Sequence, residues 1–210
     1  MPTVRHALSA HAPILVIDAA SSRVQVGVLT AGHPPRWTES REEAGVAIFQ
    51  SLEALAFNPN AAAAFIFCEG PGSILGIRTA AMALRTWQVM QSRPIYAYLS
   101  LNLVAQALRD PQLGVIADAR RDTWHHFQIG RGLRRVAAGE LAGRLAMPEG
   151  FRHWSPIPGQ TMITPYSVRE LLEQTADAEL LRTTEAPDAF LHEEPSYVTW
   201  TPQIHRAPPP

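Results

Sequence analysis

Ile14-Leu15-Val16-Ile17 is a run of four consecutive apolar residues closed by Asp18, and it limits the fold of this chain more than any other segment. Neither face of such a strand suits water, so it belongs in the middle of a sheet covered on both sides. The small, turn-forming Ala19-Ala20-Ser21-Ser22 comes next. Val24, Val26 and Val28 then alternate with Gln25 and Gly27, the period-2 pattern of a second strand. A link this short forces the two strands to run antiparallel. His33-Pro34-Pro35 interrupts, and Arg36 to Glu39 fits a third strand at the sheet edge.

From Glu42 to Ala56 the spacing turns helical, with Ile48, Phe49, Leu52, Leu55 and Ala56 on one face. Asn58-Pro59-Asn60 ends that helix, and Ala64 to Cys68 is the next buried strand. Glu69-Gly70-Pro71-Gly72 reads as a turn, with Ser73 as the N-cap of a helix running to about Gln91. Pro94 to Tyr98 gives another strand and Ser100 to Arg109 another helix. The order β-β-β-α-β-α-β-α makes an α/β layer on a mixed sheet. At Asp110-Pro111 the pattern restarts: Leu113 to Ala117 and Asp118 echo Ile14 to Asp18, and Thr123 to Ile129 echoes Val24 to Leu29. We read this as an internal duplication of a strand–Asp–turn–strand unit. Thereafter prolines 148, 156 and 158 and Gly159 mark loops, Thr164-Pro165 suits a helix start, and a helix to about Gln174 follows. The proline-rich residues 207–210 are expected to be disordered.

Composition closes off several chemistries. All 18 basic residues are arginine, which removes a phosphate-loop lysine, a Schiff-base lysine and a Ser–Lys dyad. Cys68 is the only cysteine, so intramolecular disulfides and cysteine-rich zinc sites are out of reach, and its apolar setting predicts a buried, inert thiol. A net charge of −1 provides no global field for nucleic acid. No segment has the apolar length of a signal core or a membrane span, so a cytoplasmic protein is expected. His125 and His126 are adjacent on a strand and point to opposite faces, so they cannot share one metal ion. No metalloprotease or serine-elbow pattern occurs, and neither a catalytic residue nor a metal site is assigned.

Two features could still hold a ligand. Asp18, just past a central strand, could contact Mg²⁺ through water, or simply accept amide hydrogen bonds from its own turn. Gly70, Gly72, Ser73 and Gly76 belong to the densest motif, Gly70-Pro71-Gly72-Ser73-Ile74-Leu75-Gly76-Ile77-Arg78. That motif could cradle a phosphate at a helix start, or form a tight turn whose small residues let helix and sheet approach. Asp118 occupies the repeated position. Arg78 and Arg85, seven apart with Met82 between them, share a helix face that suits a partner or solvent. Thr79-Ala80-Ala81 and Ala83 permit close helix packing. Arg120-Arg121 and Arg134-Arg135 read as solvated basic pairs rather than tRNA contacts.

Ile14 to Asp18 with the valine-alternating strand, the Gly70 to Arg78 motif, Ser100-Leu101-Asn102-Leu103, Asp118-Ala119-Arg120-Arg121 and Glu194-Pro195-Ser196-Tyr197 together resemble the TsaB (YeaZ-type) family. The similarity runs across most of residues 14–200 and is densest in the first hundred. It implies two actin-like (ASKHA, ribonuclease H-like) α/β lobes, residues 1–109 and a reduced second lobe at 110–206. It implies a noncatalytic subunit that binds TsaD, which itself transfers the threonylcarbamoyl group to adenosine 37 of tRNA. Pairing would use the helices near 42–56 and 73–91, placing Arg41, Phe49, Arg78, Met82 and Arg85 at an interface with TsaD or with a second copy. A TsaE-type ATPase is a further implied partner, tRNA is reached only through the complex, and no cofactor is intrinsic. ATP or ADP with Mg²⁺ would sit only at a partner interface. The alternative within the superfamily is a small-molecule kinase or ATPase using Asp18 and Asp118; a peptidase, the older label of such sequences, lacks any nucleophile or metal motif here. Ala19-Ala20, Ile74-Leu75 and Arg41-Glu42-Glu43 depart from the family's usual Thr-Ser, Phe-Thr and His-Ser-Glu.

Overall fold

The computed structural model describes residues 1–190, and two mixed sheets organise them. In the first, β1 (Ile14–Asp18) lies between its antiparallel neighbour β2 (Val24–Leu29) and the parallel β4 (Ala64–Gly70). β3 (Arg36–Ser40) extends β2 to one edge, and β5 (Ile95–Leu99) runs parallel to β4. All five residues of β1 are buried, as the unbroken apolar run requires. The second sheet repeats this order. β6 (Gly114–Asp118) is flanked by antiparallel β7 (Thr123–Gln128), which carries β8 (Gly132–Ala137), and by parallel β9 (Leu145–Pro148), which carries β10 (Met162–Thr164). Each sheet therefore has its first strand in the centre and its third at an edge. The duplication visible as a strand–Asp–turn–strand unit extends over five strands.

The two halves differ in what covers them. α2 (Ala44–Ala54) and α3 (Ile74–Met90) lie on one face of the first sheet and bury Leu15, Ile17, Val26, Phe65 and Phe67 against Ile48, Leu52, Ala80, Ala81 and Leu84. In the second half the corresponding connections are a single 3₁₀ turn, Ala138–Glu140, and a helix-free loop over 149–161. Only a small cluster around Ile116, Trp124, Leu145 and Met147 forms on that side. Between the sheets, α4 (Ser100–Leu108) packs on both, so Leu101, Val104 and Ala105 share one core with Val16, Ile66, Val115 and Phe127. α1 (Val4–Ala10) and α5 (Val168–Gln174) join this central layer. The chain finally returns to the first sheet: β11 (Arg182–Thr183) pairs antiparallel with β5, and Arg182 meets the buried Glu69 of β4 in a bidentate ion pair.

Several expectations are corrected. The helix expected at 42–56 is shorter, and Phe49 and Ala56 face solvent instead of joining its buried face. Glu69 and Gly70 continue β4 and do not open the turn. The last helix is capped not by Thr164 but by Ser167, whose hydroxyl accepts from the Glu170 amide. Pro148, expected to mark a loop, is the last residue of β9, and β8, β9, β10 and α1 have no counterpart in the sequence pattern. The expected tail at 207–210 and the segment Glu194–Tyr197 lie outside the described residues.

Candidate functional site

Asp18 ends β1 fully buried, with protein donors around its carboxylate. Oδ1 accepts from the Ala20 amide at 2.9 Å, inside its own turn. Oδ2 accepts from the Tyr98 hydroxyl at 2.5 Å and the Tyr166 hydroxyl at 2.7 Å. Burial pushes the Asp18 carboxyl above its ordinary range against these bonds, and burial together with the Asp18 charge drives Tyr98, Tyr166 and Cys68 well up. The Cys68 thiol is buried, as its apolar run predicts. Tyr166 comes from the loop before α5. Its carbonyl also receives the Gln25 amide at 3.1 Å, and the Val168 amide donates back to Gln25 Oε1 at 2.8 Å. The carboxylate is thus an anchor between the first sheet and the second half, with no oxygen turned toward solvent.

The glycine motif is built for close approach. Ser73 caps α3 by accepting from Gly76, and its own amide donates to the Ala20 carbonyl at 2.8 Å. A methyl group at Gly72 would collide with the carbonyl of Ala20, and one at Gly76 with that of Ala19. Small residues at 19–20 and glycines at 72 and 76 are therefore two sides of one packing contact. Gly76→Ala is expected to cost about 2 kcal/mol by overpacking, measurable by urea unfolding. A cost below about 0.5 kcal/mol would show that the α3 start has room to shift.

Beside this motif a cleft of about 590 Å³ opens between the two sheets. Gly70, Gly72 and Ser73 form one wall, whereas Asp18 and Gly76 lie outside it. The opposite wall comes from the β6–β7 turn, from β7 and β8 and from the loop after β9; it presents Asp118, Arg120, Arg121, Arg135, Arg152 and Trp154. The basic pairs of the sequence therefore divide: Arg120, Arg121 and Arg135 face the cleft, and Arg134 lies on the other side beside His126. His125 lines the cleft and His126 is buried away from it, as alternation along a strand dictates. Asp118 is spent on structure, as its counterpart is. It accepts from the Arg120 amide through Oδ1 and from the Trp154 and Ser155 amides, at 2.7 and 2.8 Å, through Oδ2. Burial raises this carboxyl, but the three amides outweigh burial and hold it below the usual carboxylate value. A depressed folded-state value means that its contribution is complete above the unfolded pKa and is lost as the pH falls through the folded one. Asp118→Ala should lower stability by about 1.5 kcal/mol near neutrality and flatten the acid limb of the stability curve. An unchanged acid limb would refute this assignment.

The exposed side of α2 and α3 carries large apolar side chains among polar ones, and the first two on α3, Ile74 and Leu75, also line the cleft. Val46 and Phe49 of α2 and Ile74, Leu75, Met82, Val89 and Met90 of α3 remain open to solvent, with Phe49 at 53% and Met82 at 57% exposure. The two helices pack on each other, and Gly45 brings α2 against Thr79. Arg41 is exposed just ahead of α2. Arg78 and Arg85 are already engaged: both reach Asp188, at 3.9 and 3.1 Å, and Arg85 also donates to the Pro187 carbonyl. Among the expected interface residues, Phe49 and Met82 are the apolar, unengaged ones. The sequence reading overlooked Val46, Leu75, Val89 and Met90.

Among the described residues, no group of three or more His, Cys, Asp or Glu side chains is arranged to hold a metal ion, and no helix is long and apolar enough to cross a membrane. No model of a known protein family matches the sequence, and no curated protein matches it. Solved structures do. The fold is similar to YeaZ from Pseudomonas aeruginosa, at 21% identity and a TM-score of 0.50, over 65% of this chain and 76% of that one. It is also similar to an uncharacterized protein described as resembling the peptidase YeaZ from Pseudomonas aeruginosa, at 19% identity and a TM-score of 0.56, over 88% of this chain and 98% of the other. At these identities the likeness establishes the fold alone: a two-sheet α/β architecture of YeaZ type.

Proposed function

We propose that this chain is a YeaZ-type (TsaB) subunit that docks its α2–α3 face on a TsaD-type protein and promotes threonylcarbamoyl transfer to adenosine 37 of tRNA. The observation that carries this reading is the pair of packed helices that together expose seven large apolar side chains, from Val46 to Met90. A stable monomer gains nothing from exposing seven large apolar side chains on two neighbouring helices, and patches of that kind mark interaction surfaces. Asp18 and Asp118, the two carboxylates a kinase of this superfamily would need, are both committed to protein donors, which disfavours the kinase alternative. The subunit is noncatalytic in this reading, tRNA is met through the complex, and a TsaE-type ATPase joins the assembly. A nucleotide carrying Mg²⁺ would bind at the subunit junction and not on Asp18.

The test is reconstitution with the TsaD-type protein of the same organism. The expected result is a stable complex on size-exclusion chromatography, with threonylcarbamoyladenosine in digested tRNA rising at least tenfold when this chain is added. A symmetric pair of this chain that excludes TsaD, or modification that proceeds equally well without it, sinks the proposal.

A further inference from the structure

The geometry points to the interlobe cleft as a metal-independent site for a phosphorylated small molecule of mononucleotide size, bound through Arg121 and Arg152 with Trp154 beside them. This inference stands apart from the helical face and does not depend on it.

Charge supplies the first argument. Four arginines and a single aspartate line the cleft of a chain whose net charge is −1, so positive charge is concentrated here against the overall balance. The aspartate does little to offset it, because three backbone amides already point at its oxygens. The arginines are not equivalent. Arg135 is held by Thr123 Oγ1 at 2.9 Å and the Ala119 carbonyl at 3.2 Å, and Arg120 lies over the Trp154 ring at 4.3 Å. Arg121 and Arg152 carry no hydrogen bond or ion pair to any described residue, and both are exposed. Two guanidinium groups at the mouth of a concave pocket, backed by two fixed ones, match the forked geometry with which arginine binds phosphate oxygens.

Backbone cost supplies the second. Arg120, Arg121 and Asp122 all have positive φ, at 65°, 52° and 56°. None is glycine, and three successive left-handed residues are held only because the turn is overdetermined: Ala119 donates to Thr123, Thr123 to Arg120, and Arg120 to Asp118. This turn carries two of the cleft arginines.

Size and shape choose the ligand class. A volume of about 590 Å³ suits a small molecule and not a length of nucleic-acid duplex. Trp154 is 60% exposed although Arg120 covers one side of its ring, leaving aromatic surface for a planar group. Independence from metal follows from the carboxylates: Asp18 lies outside the cleft and Asp118 has no oxygen unclaimed, so guanidinium groups must neutralise the phosphates.

Calorimetric titration of the full chain with pyrophosphate and with ATP, each in EDTA and in Mg²⁺, tests this. Binding is expected in EDTA and should weaken at least tenfold in Arg121→Glu/Arg152→Glu. Both residues are exposed and without partners, so this variant should unfold like the wild type. A charge-matched double change outside the cleft, Arg131→Glu/Arg134→Glu, should leave binding as it was. Three results would overturn the inference: no binding of either probe at millimolar concentration, binding that requires Mg²⁺, or binding indifferent to the double variant. Binding of tRNA, lost in the double variant, with neither small probe bound, would likewise replace it with a macromolecular site.

Discussion

Replacing Asp18 with alanine is expected to cost about 4 kcal/mol of folding stability, the largest effect of any single change proposed for this protein. The loss is not that of a surface charge. Three donors converge on this carboxylate, the Ala20 amide and the Tyr98 and Tyr166 hydroxyls, and all three are buried. Each buried donor left without an acceptor costs about 1–3 kcal/mol, reduced where a water can enter the vacated space. Because Tyr166 belongs to the second half, the change also loosens the two sheets from each other. Asp18→Asn keeps one acceptor but turns an NH₂ group toward a hydroxyl, so about 2 kcal/mol is expected. The pH signature differs from that of Asp118. The folded-state Asp18 carboxyl titrates above its unfolded value, so its contribution is complete below the unfolded pKa and declines as the pH rises through the folded one. Urea denaturation of wild type and Asp18→Asn between pH 4 and 8 measures both quantities. An alanine variant within 1 kcal/mol of wild type would mean that Asp18 is free to serve a ligand.

The second large effect concerns assembly. Phe49→Glu combined with Met82→Glu should weaken the complex with a TsaD-type partner by at least about a hundredfold, because a carboxylate buried at the centre of an apolar interface stays unpaired. Both side chains are more than half exposed in the isolated chain, so unfolding should change by less than about 0.5 kcal/mol. Binding measured by surface plasmon resonance, beside denaturation of the free variant, separates docking from folding. Arg41→Ala, at the altered start of this surface, should have a smaller effect and act chiefly on the association rate. If the double variant binds like the wild type, the α2–α3 face is not the contact.

Much of the first half could be read directly. Strands β1, β2 and β4 carry strong period or run signals, and Ser73 caps α3 within the glycine motif. The second half hid its strands for physical reasons. β8 is an edge strand with little burial on either face, so no alternation marks it, and β9 has only four residues. α1 is a seven-residue helix whose order comes from the Thr3 cap and from the core around Ala7, which no local period announces. The cleft was illegible for another reason. The pair Arg120-Arg121 is separated along the chain from Arg135 and Arg152, and the left-handed turn that carries the pair contains no glycine to reveal it. Phe49 shows the converse failure. Its spacing put it on the apolar face of α2, but the stripe that is buried is centred on Ala47, Ile48, Ser51 and Leu52.

The uneven clothing of the two sheets has a consequence for higher-order assembly. Both halves repeat one strand order, yet among the described residues only the first carries the outer pair of helices. Had both kept such a pair, each chain would offer two similar sticky faces in different directions, and copies could join end on end without closing. With one helical face per chain, every union through it uses up the binding surface of both participants. Growth stops at two. With a single such pair among the described residues, the chain would be monovalent through the proposed face, a terminator of assembly there and not a link in a filament.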